Sequence, residues 1–164
     1  MDTSRITIDL LLVTLIAAAN GAPWVLGRWL GRHDAWPVDG GWRLANGQPL
    51  LGPSKTWRGL AAALLATPLL AWLIGWPAEL GVAIAGAAMI GDLLASFLKR
   101  RLGLASTTNA PGLDQIPEAL FPALVASLWL NLDWWDLTLV VLTFLISHLL
   151  LTQLLPRLLR SADH

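Results

Sequence analysis

Five apolar stretches alternate with polar ones along the chain. The first runs from Ile6 to Ala19 and resumes from Trp24 to Leu30, with Asn20, Gly21 and Pro23 between. Its first part alone is short for a membrane span of about 20 residues. Ala17 to Ala19 has the small side chains of a signal-peptide cleavage site. The preceding residues are hardly basic, because Asp2 offsets Arg5, so we expect one uncleaved span over 6–30. Pro23 kinks it in a way that neighbouring helices tolerate. Further spans are expected over 57–76, 80–98, 116–132 and 137–155, separated by polar loops at 31–56 and 99–115. Gly, Pro and Asn recur too often in the first loop for a regular element. Gly81, Ala85, Gly86, Ala87, Ala88 and Gly91 mark the third span as the central packing helix, since small residues let backbones approach. The pattern predicts an all-α, polytopic membrane protein with five transmembrane helices in one domain over 1–164.

Composition agrees. Mean hydropathy is +0.61 and only 13% of residues are charged, which is too apolar for an ordinary soluble domain. Net charge is zero, so nothing argues for nucleic acid as a partner. Without cysteine there is no thiolate nucleophile and no Cys-ligated metal. The placement of charge says more than its sum. Ten of the eleven Lys and Arg residues (Arg28, Arg32, Arg43, Lys55, Arg58, Lys99, Arg100, Arg101, Arg157 and Arg160) fall on one side of the five-span arrangement, and only Arg5 falls on the other. By the positive-inside rule the amino terminus is then outside, and both polar loops and the carboxy terminus are cytoplasmic. The expected location is the cell membrane, with any site in those loops facing the cytoplasm.

Within the third span sits a carboxylate, Asp92, at a depth where charge costs about 2.5–3.5 kcal/mol on insertion scales. Asp92, Ser96 and Lys99 are i, i+4 and i+7, so they share one helix face, and Lys99, Arg100 and Arg101 form a cationic collar at its end. Two more polar clusters lie on the same side: Gly52 to Gly59, with Lys55, Thr56 and Arg58, and Asp114 to Glu118. Cations of this kind hold phosphate oxygens. Carboxylates on separate segments suit Mg2+, which prefers a few protein oxygens completed by water and substrate phosphates. Plainer roles exist for each: a topology anchor for the collar, snorkelling for Lys55 and Arg58, a helix cap for Asp114, a salt bridge to Lys99 or Arg58 for Asp92. Gly52-Pro53-Ser54-Lys55-Thr56 is not a nucleotide P-loop, because Ser precedes Lys and no strand leads into it. Asp9 lies in an apolar run near the amino terminus, and His148 reads as a packed histidine.

The strings Gly52-x-x-Lys55-Thr56-Trp57-Arg58-Gly59, Gly91-Asp92-x-x-x-Ser96-Phe97-x-Lys99-Arg100-Arg101 and Asp114-Gln115 resemble the CDP-archaeol synthase family, with Asn20 before Pro23 and Pro37-x-Asp39-Gly40 as lesser points of similarity. These are integral membrane cytidylyltransferases related to phosphatidate cytidylyltransferase. The resemblance implies CTP and Mg2+, transfer of CMP to a membrane lipid phosphate, and release of pyrophosphate. It implies Asp92, Asp114 and Lys99 as catalytic residues. Lys55, Thr56, Arg58, Ser96, Lys99, Arg100, Arg101, Asn20 and Asp39 would contact substrate, and Asp92, Asp114 and Glu118 would hold metal. The family carries a second aspartate three positions after Asp114, where this chain has Pro117, and Glu118 at the next position is the candidate substitute, with altered reach. Two rivals stand beside this reading: a non-catalytic membrane protein of the same fold that binds nucleotide or anionic lipid, motivated by Pro117, and a small transporter with Asp92 as its coupling site. No oligomer is specified, and a homo-oligomer is compatible with the sequence.

Overall fold

The computed structural model describes residues 3–31, 35–105, 108 and 110–161, with side chains described as far as residue 152. Arg32 and the side chains of Arg157 and Arg160, used above for topology, lie outside the described residues. Five helices follow one another: α1 (Thr3–Leu30), α2 (Trp57–Leu73), α3 (Ala78–Arg101), α4 (Gln115–Leu130) and α5 (Trp134–Ser161). α1, α3 and the Trp134–Thr152 part of α5 are long and apolar enough to cross a bilayer, while α2 and α4 are apolar but shorter. The chain is a multi-pass membrane protein.

The helix ends follow local chemistry. α1 runs through Pro23 without a break. Thr56 caps α2, its hydroxyl accepting from Gly59 N at 3.2 Å. The expected second span, 57–76, ends early at Leu73, because Gly75 takes a left-handed φ of +84° and closes a Schellman turn: Trp76 N donates to Ala71 O and Gly75 N to Trp72 O. α3 outruns its expected 80–98 at both ends and closes the same way. Leu104 N donates to Lys99 O and Gly103 N to Arg100 O. That puts Lys99, Arg100 and Arg101 in the last turn, where the helix dipole favours cations. α4 stops at Asn131, which is left-handed at φ +48°. α5 begins earlier than the expected 137. Asp133 Oδ1 accepts from Asp136 N while Asp136 Oδ2 accepts from Asp133 N, a reciprocal capping box.

α3 is the central helix, packed against α1, α2 and α4. The cause is its small residues. A Cβ on Gly81 would lie 2.4 Å from Pro68 Cα of α2, and one on Gly91 would lie 2.3 Å from the Pro117 carbonyl oxygen of α4. Leu12, Leu15, Ile16, Leu80, Ile84, Ala123 and Val140 fill the core at one end of the bundle. Nearer the other end Ala19, Ala63, Ala85, Ala88 and Met89 make a tighter layer of small side chains. Indoles at Trp29, Trp72, Trp134 and Trp135 are turned outward, as interfacial anchors are. His148 packs beside Phe144, their ring centroids 6.1 Å apart.

The loop from 31 to 56 holds more order than its composition predicts. Its described part doubles back as an irregular hairpin. Val38 N donates to Lys55 O and Trp57 N to Trp36 O, while Leu50 N donates to Trp42 O and Leu44 N to Gln48 O.

Candidate active site

The site is assembled where the end of α3 meets the beginnings of α2 and α4. Lys55 immediately precedes the α2 cap, and its own carbonyl is held by Val38 N, which fixes where its side chain starts. Its ammonium donates to both oxygens of Asp92, at 2.6 and 2.7 Å. Asp92 therefore pairs with Lys55, a partner absent from the salt bridges anticipated from sequence. Seven residues along α3, Lys99 pairs with Asp114 Oδ1 at 2.8 Å and donates to the Thr108 carbonyl at 3.3 Å. All four side chains are mostly shielded from solvent. Ser96 lies buried between the two pairs on the same face, and its hydroxyl makes no hydrogen bond among the described residues.

Asp114 occupies the cap position of α4 without capping it. Its carboxylate instead bonds Lys99, and its second oxygen accepts from Ala110 N at 3.2 Å. Gln115 closes the adjoining turn, its side-chain oxygen accepting from Gly112 N at 2.8 Å. Pro117 then sits in the first turn of α4, where a backbone N–H has no helical partner to lose. Its carbonyl rests against Gly91, and this close approach brings the buried Glu118 within hydrogen-bonding reach of Asp92. Two carboxyl groups and one ammonium thus share a small volume between three helices.

The cations around this core differ. Arg101 donates to the Pro49 carbonyl at 3.0 Å and lies over the Phe97 ring at 5.1 Å, tying the hairpin to α3. Arg58 donates to the Gly31 carbonyl at 2.7 Å, tying α2 to the end of α1. Arg100 is only 4% exposed, and among the described residues it has neither a hydrogen bond nor an ion pair; its Nε is fully enclosed. Burying a guanidinium without an acceptor costs several kcal/mol.

Asp39 and Asn20 both bond backbone groups. Asp39 accepts from Gly41 N, Leu51 N and Gly52 N at 3.0, 2.8 and 3.1 Å, which pins the hairpin in front of Lys55. Partial burial pushes its pKa up, but these amides outweigh burial and hold it below the ordinary value. Gly52 has a φ of +102°, which a side chain would strain, and this explains the glycine that opens the motif. Asn20 donates to Ile16 O of its own helix at 3.0 Å. Sequence reasoning missed the Thr108 and Pro49 carbonyls, which no side-chain motif reports.

The donors suit Mg2+ in one form only. Asp92 and Glu118 offer hard oxygens side by side, but among the described residues no three acidic or histidine side chains converge on one point. An ion there would need substrate phosphates and water to complete its shell, as Mg2+ commonly does.

The likenesses of the chain agree with this geometry. Residues 77–159 match the family described as CDP-archaeol synthase, and residues 2–110 match the cytidylyltransferase family. The CDP-archaeol synthase of Aeropyrum pernix is 41% identical over 140 residues, covering 82% of this chain and 75% of that one. That of Hyperthermus butylicus is 41% identical over 114 residues, covering 66% and 65%. That of Halorubrum lacusprofundi is 41% identical over 116 residues, covering 60% and 62%; the chain thus spans a little under two thirds of these last two relatives. A solved structure described as an intramembrane enzyme for archaeal membrane lipids biosynthesis superposes with a TM-score of 0.69 at 32% identity, over 85% of this chain and 89% of that one. With its motifs paired across α2, α3 and α4 in the way just described, the chain belongs to the CDP-archaeol synthase family.

Proposed function

We propose that the protein is a CTP-dependent cytidylyltransferase that transfers CMP to a membrane lipid phosphate, giving a CDP-lipid and pyrophosphate. The observation that carries this reading is Arg100, a buried guanidinium without an acceptor among the described residues, beside the two ion pairs. A triphosphate and a lipid phosphate supply the missing anions.

In the proposed reaction an oxygen of the lipid phosphate attacks the α-phosphorus of CTP. A new P–O bond forms there as the bond to the bridging oxygen of the β-phosphate breaks, and pyrophosphate leaves with that electron pair. The nucleophile is already ionised near neutral pH, so no general base is required. The protein's work is placement and charge compensation. Arg100 and Arg101 hold phosphate oxygens at the end of α3. Lys55 and Lys99 turn from their carboxylates toward the triphosphate as it enters, and Ser96 donates to a phosphate oxygen between them. Asp92 and Glu118 would hold Mg2+, with Asp114 beside them. Bound there, the ion would supply Lewis-acid polarisation and charge compensation to phosphate oxygens. Asp39 acts by shaping the hairpin. Thr56 starts α2 so that Lys55 faces Asp92.

The same reading places the site on the cytoplasmic side of the cell membrane, where CTP is available, and it rests on the distribution of Lys and Arg. The reaction is tested by pyrophosphate release from purified protein in detergent. The assay supplies CTP, Mg2+ and, in turn, phosphatidate, a geranylgeranylated glycerol phosphate and a polyprenyl phosphate. Release with one lipid, lost on chelation, is expected. No release with any lipid, from protein that still binds CTP, would favour the binding-only rival.

A further inference from the structure

At the opposite end of the bundle lies a second polar site. The start of α1, the end of α4 and the start of α5 enclose a cavity of about 120 Å³, lined by Arg5, Ile8, Asp9, Leu130, Asn131, Leu132 and Asp136. Asp9 is 3% exposed, and neither of its carboxylate oxygens has a hydrogen-bond partner among the described residues. Asp136 is 5% exposed. Its Oδ2 accepts from Asp133 N and, at 3.1 Å, from Arg5 Nη1, while its other oxygen makes no hydrogen bond among the described residues. Arg5 also reaches Asp133 at 2.8 Å and so is drawn toward the capping box. Three carboxylates therefore face one guanidinium, and the most deeply buried of them has no hydrogen bond or ion pair among the described residues.

We propose that this cavity is a binding site for a small hard cation, with the carboxylates of Asp9 and Asp136 as its protein ligands. Three features favour it. A buried carboxylate with both oxygens unbonded is costly, and a cation removes that cost. The carboxy-terminal end of α4 borders the cavity, and a helix carries its unpaired carbonyls and partial negative charge there. The cavity has room for several waters. Water completes the shell, since no three acidic or histidine side chains converge among the described residues. Oxygen donors select Na+, K+, Mg2+ or Ca2+ over soft metals. Bound there, the ion fastens α1 to the α4–α5 turn, at the far end of the molecule from Asp92.

The test is thermal unfolding of the whole protein in detergent, in chloride salts of Na+, K+, Mg2+ and Ca2+ against choline chloride at equal ionic strength. The midpoint is expected to rise with the logarithm of concentration for at least one ion. The rise should persist in Asp92→Asn, which separates it from any metal at the other site. In Asp9→Asn the apparent affinity should fall about tenfold or more. No rise with any ion, a rise unchanged in Asp9→Asn, or one abolished by Asp92→Asn would each overturn the proposal. Should Asp9→Asn fail to fold, crystals of the unaltered protein soaked in Rb+ and Mn2+ decide the matter. An anomalous peak beside Asp9 is expected with one of them, and its absence with both refutes the site.

Discussion

Arg100 carries a fixed positive charge into a place where no described side chain answers it. Replacing it with Gln is expected to raise KM for CTP or the lipid phosphate by about 10–100-fold, the worth of one charged hydrogen bond. Thermal stability should hold or improve, because a desolvated charge is removed. A variant with unchanged KM would show that the guanidinium touches neither substrate. Asp39 predicts a pH dependence. Its folded-state pKa lies below the ordinary 3.8, so its contribution to stability is present above that value and is lost as pH falls through the lower folded value. The unfolding midpoint should therefore fall in acid, and fall less steeply in Asp39→Asn; identical acid limbs would contradict the pinning role. Asp92 is legible in the sequence by its charge inside an apolar run, Lys99 as part of the cationic collar and Asp114 as part of a polar cluster. Their pairing is not. Spacing along a helix reports only neighbours on that helix, and Asp92 and Lys99 are separated by about 10 Å of rise. Lys55, brought in from another element by the hairpin, is the nearer partner.

Helix packing turns on two glycines. Gly91 and Gly81 admit the backbone of α4 and of α2, whereas a Cβ on Gly86 would meet nothing within 4 Å. Gly91→Ala and Gly81→Ala should each destabilise the protein by about 1–3 kcal/mol through forced separation of helices. Gly86→Ala should be neutral or slightly stabilising, as expected of Ala in a helix. Equal midpoints for all three in detergent would contradict the close approach. Gly91→Ala should also reduce turnover, because it moves Glu118 away from Asp92. The small residues of α3 announced this packing in the sequence. Helix ends were less legible: Gly75 and Asn131 stop α2 and α4 through left-handed conformations, and the hydropathy runs continue past both. The Asp133-x-x-Asp136 capping box was readable as a pattern, but two aspartates before two tryptophans read equally well as an interfacial turn.

For the molecule as a whole, the distribution of Lys and Arg predicts orientation. A reporter fused after His164 should read out in the cytoplasm and one ahead of Met1 outside; the reverse would place the Lys55–Asp92 centre on the wrong side for CTP. The five-helix architecture was legible because each span declares itself by hydropathy. The order within the 31–56 hairpin was not, because its bonds run between backbone groups far apart in sequence. If three segments meet to pass CMP from CTP to a lipid, the fate of each phosphate of CTP reveals it. Protein in detergent is given Mg2+, the lipid phosphates named above and CTP labelled on the α- or the γ-phosphate. Label from the α-phosphate should enter the lipid extract and label from the γ-phosphate should not. Both Asp92→Asn and Glu118→Gln, checked as folded and monodisperse, should reduce that transfer by about 10²-fold or more. Transfer of γ-label, or α-label transfer undiminished in both variants, would contradict it.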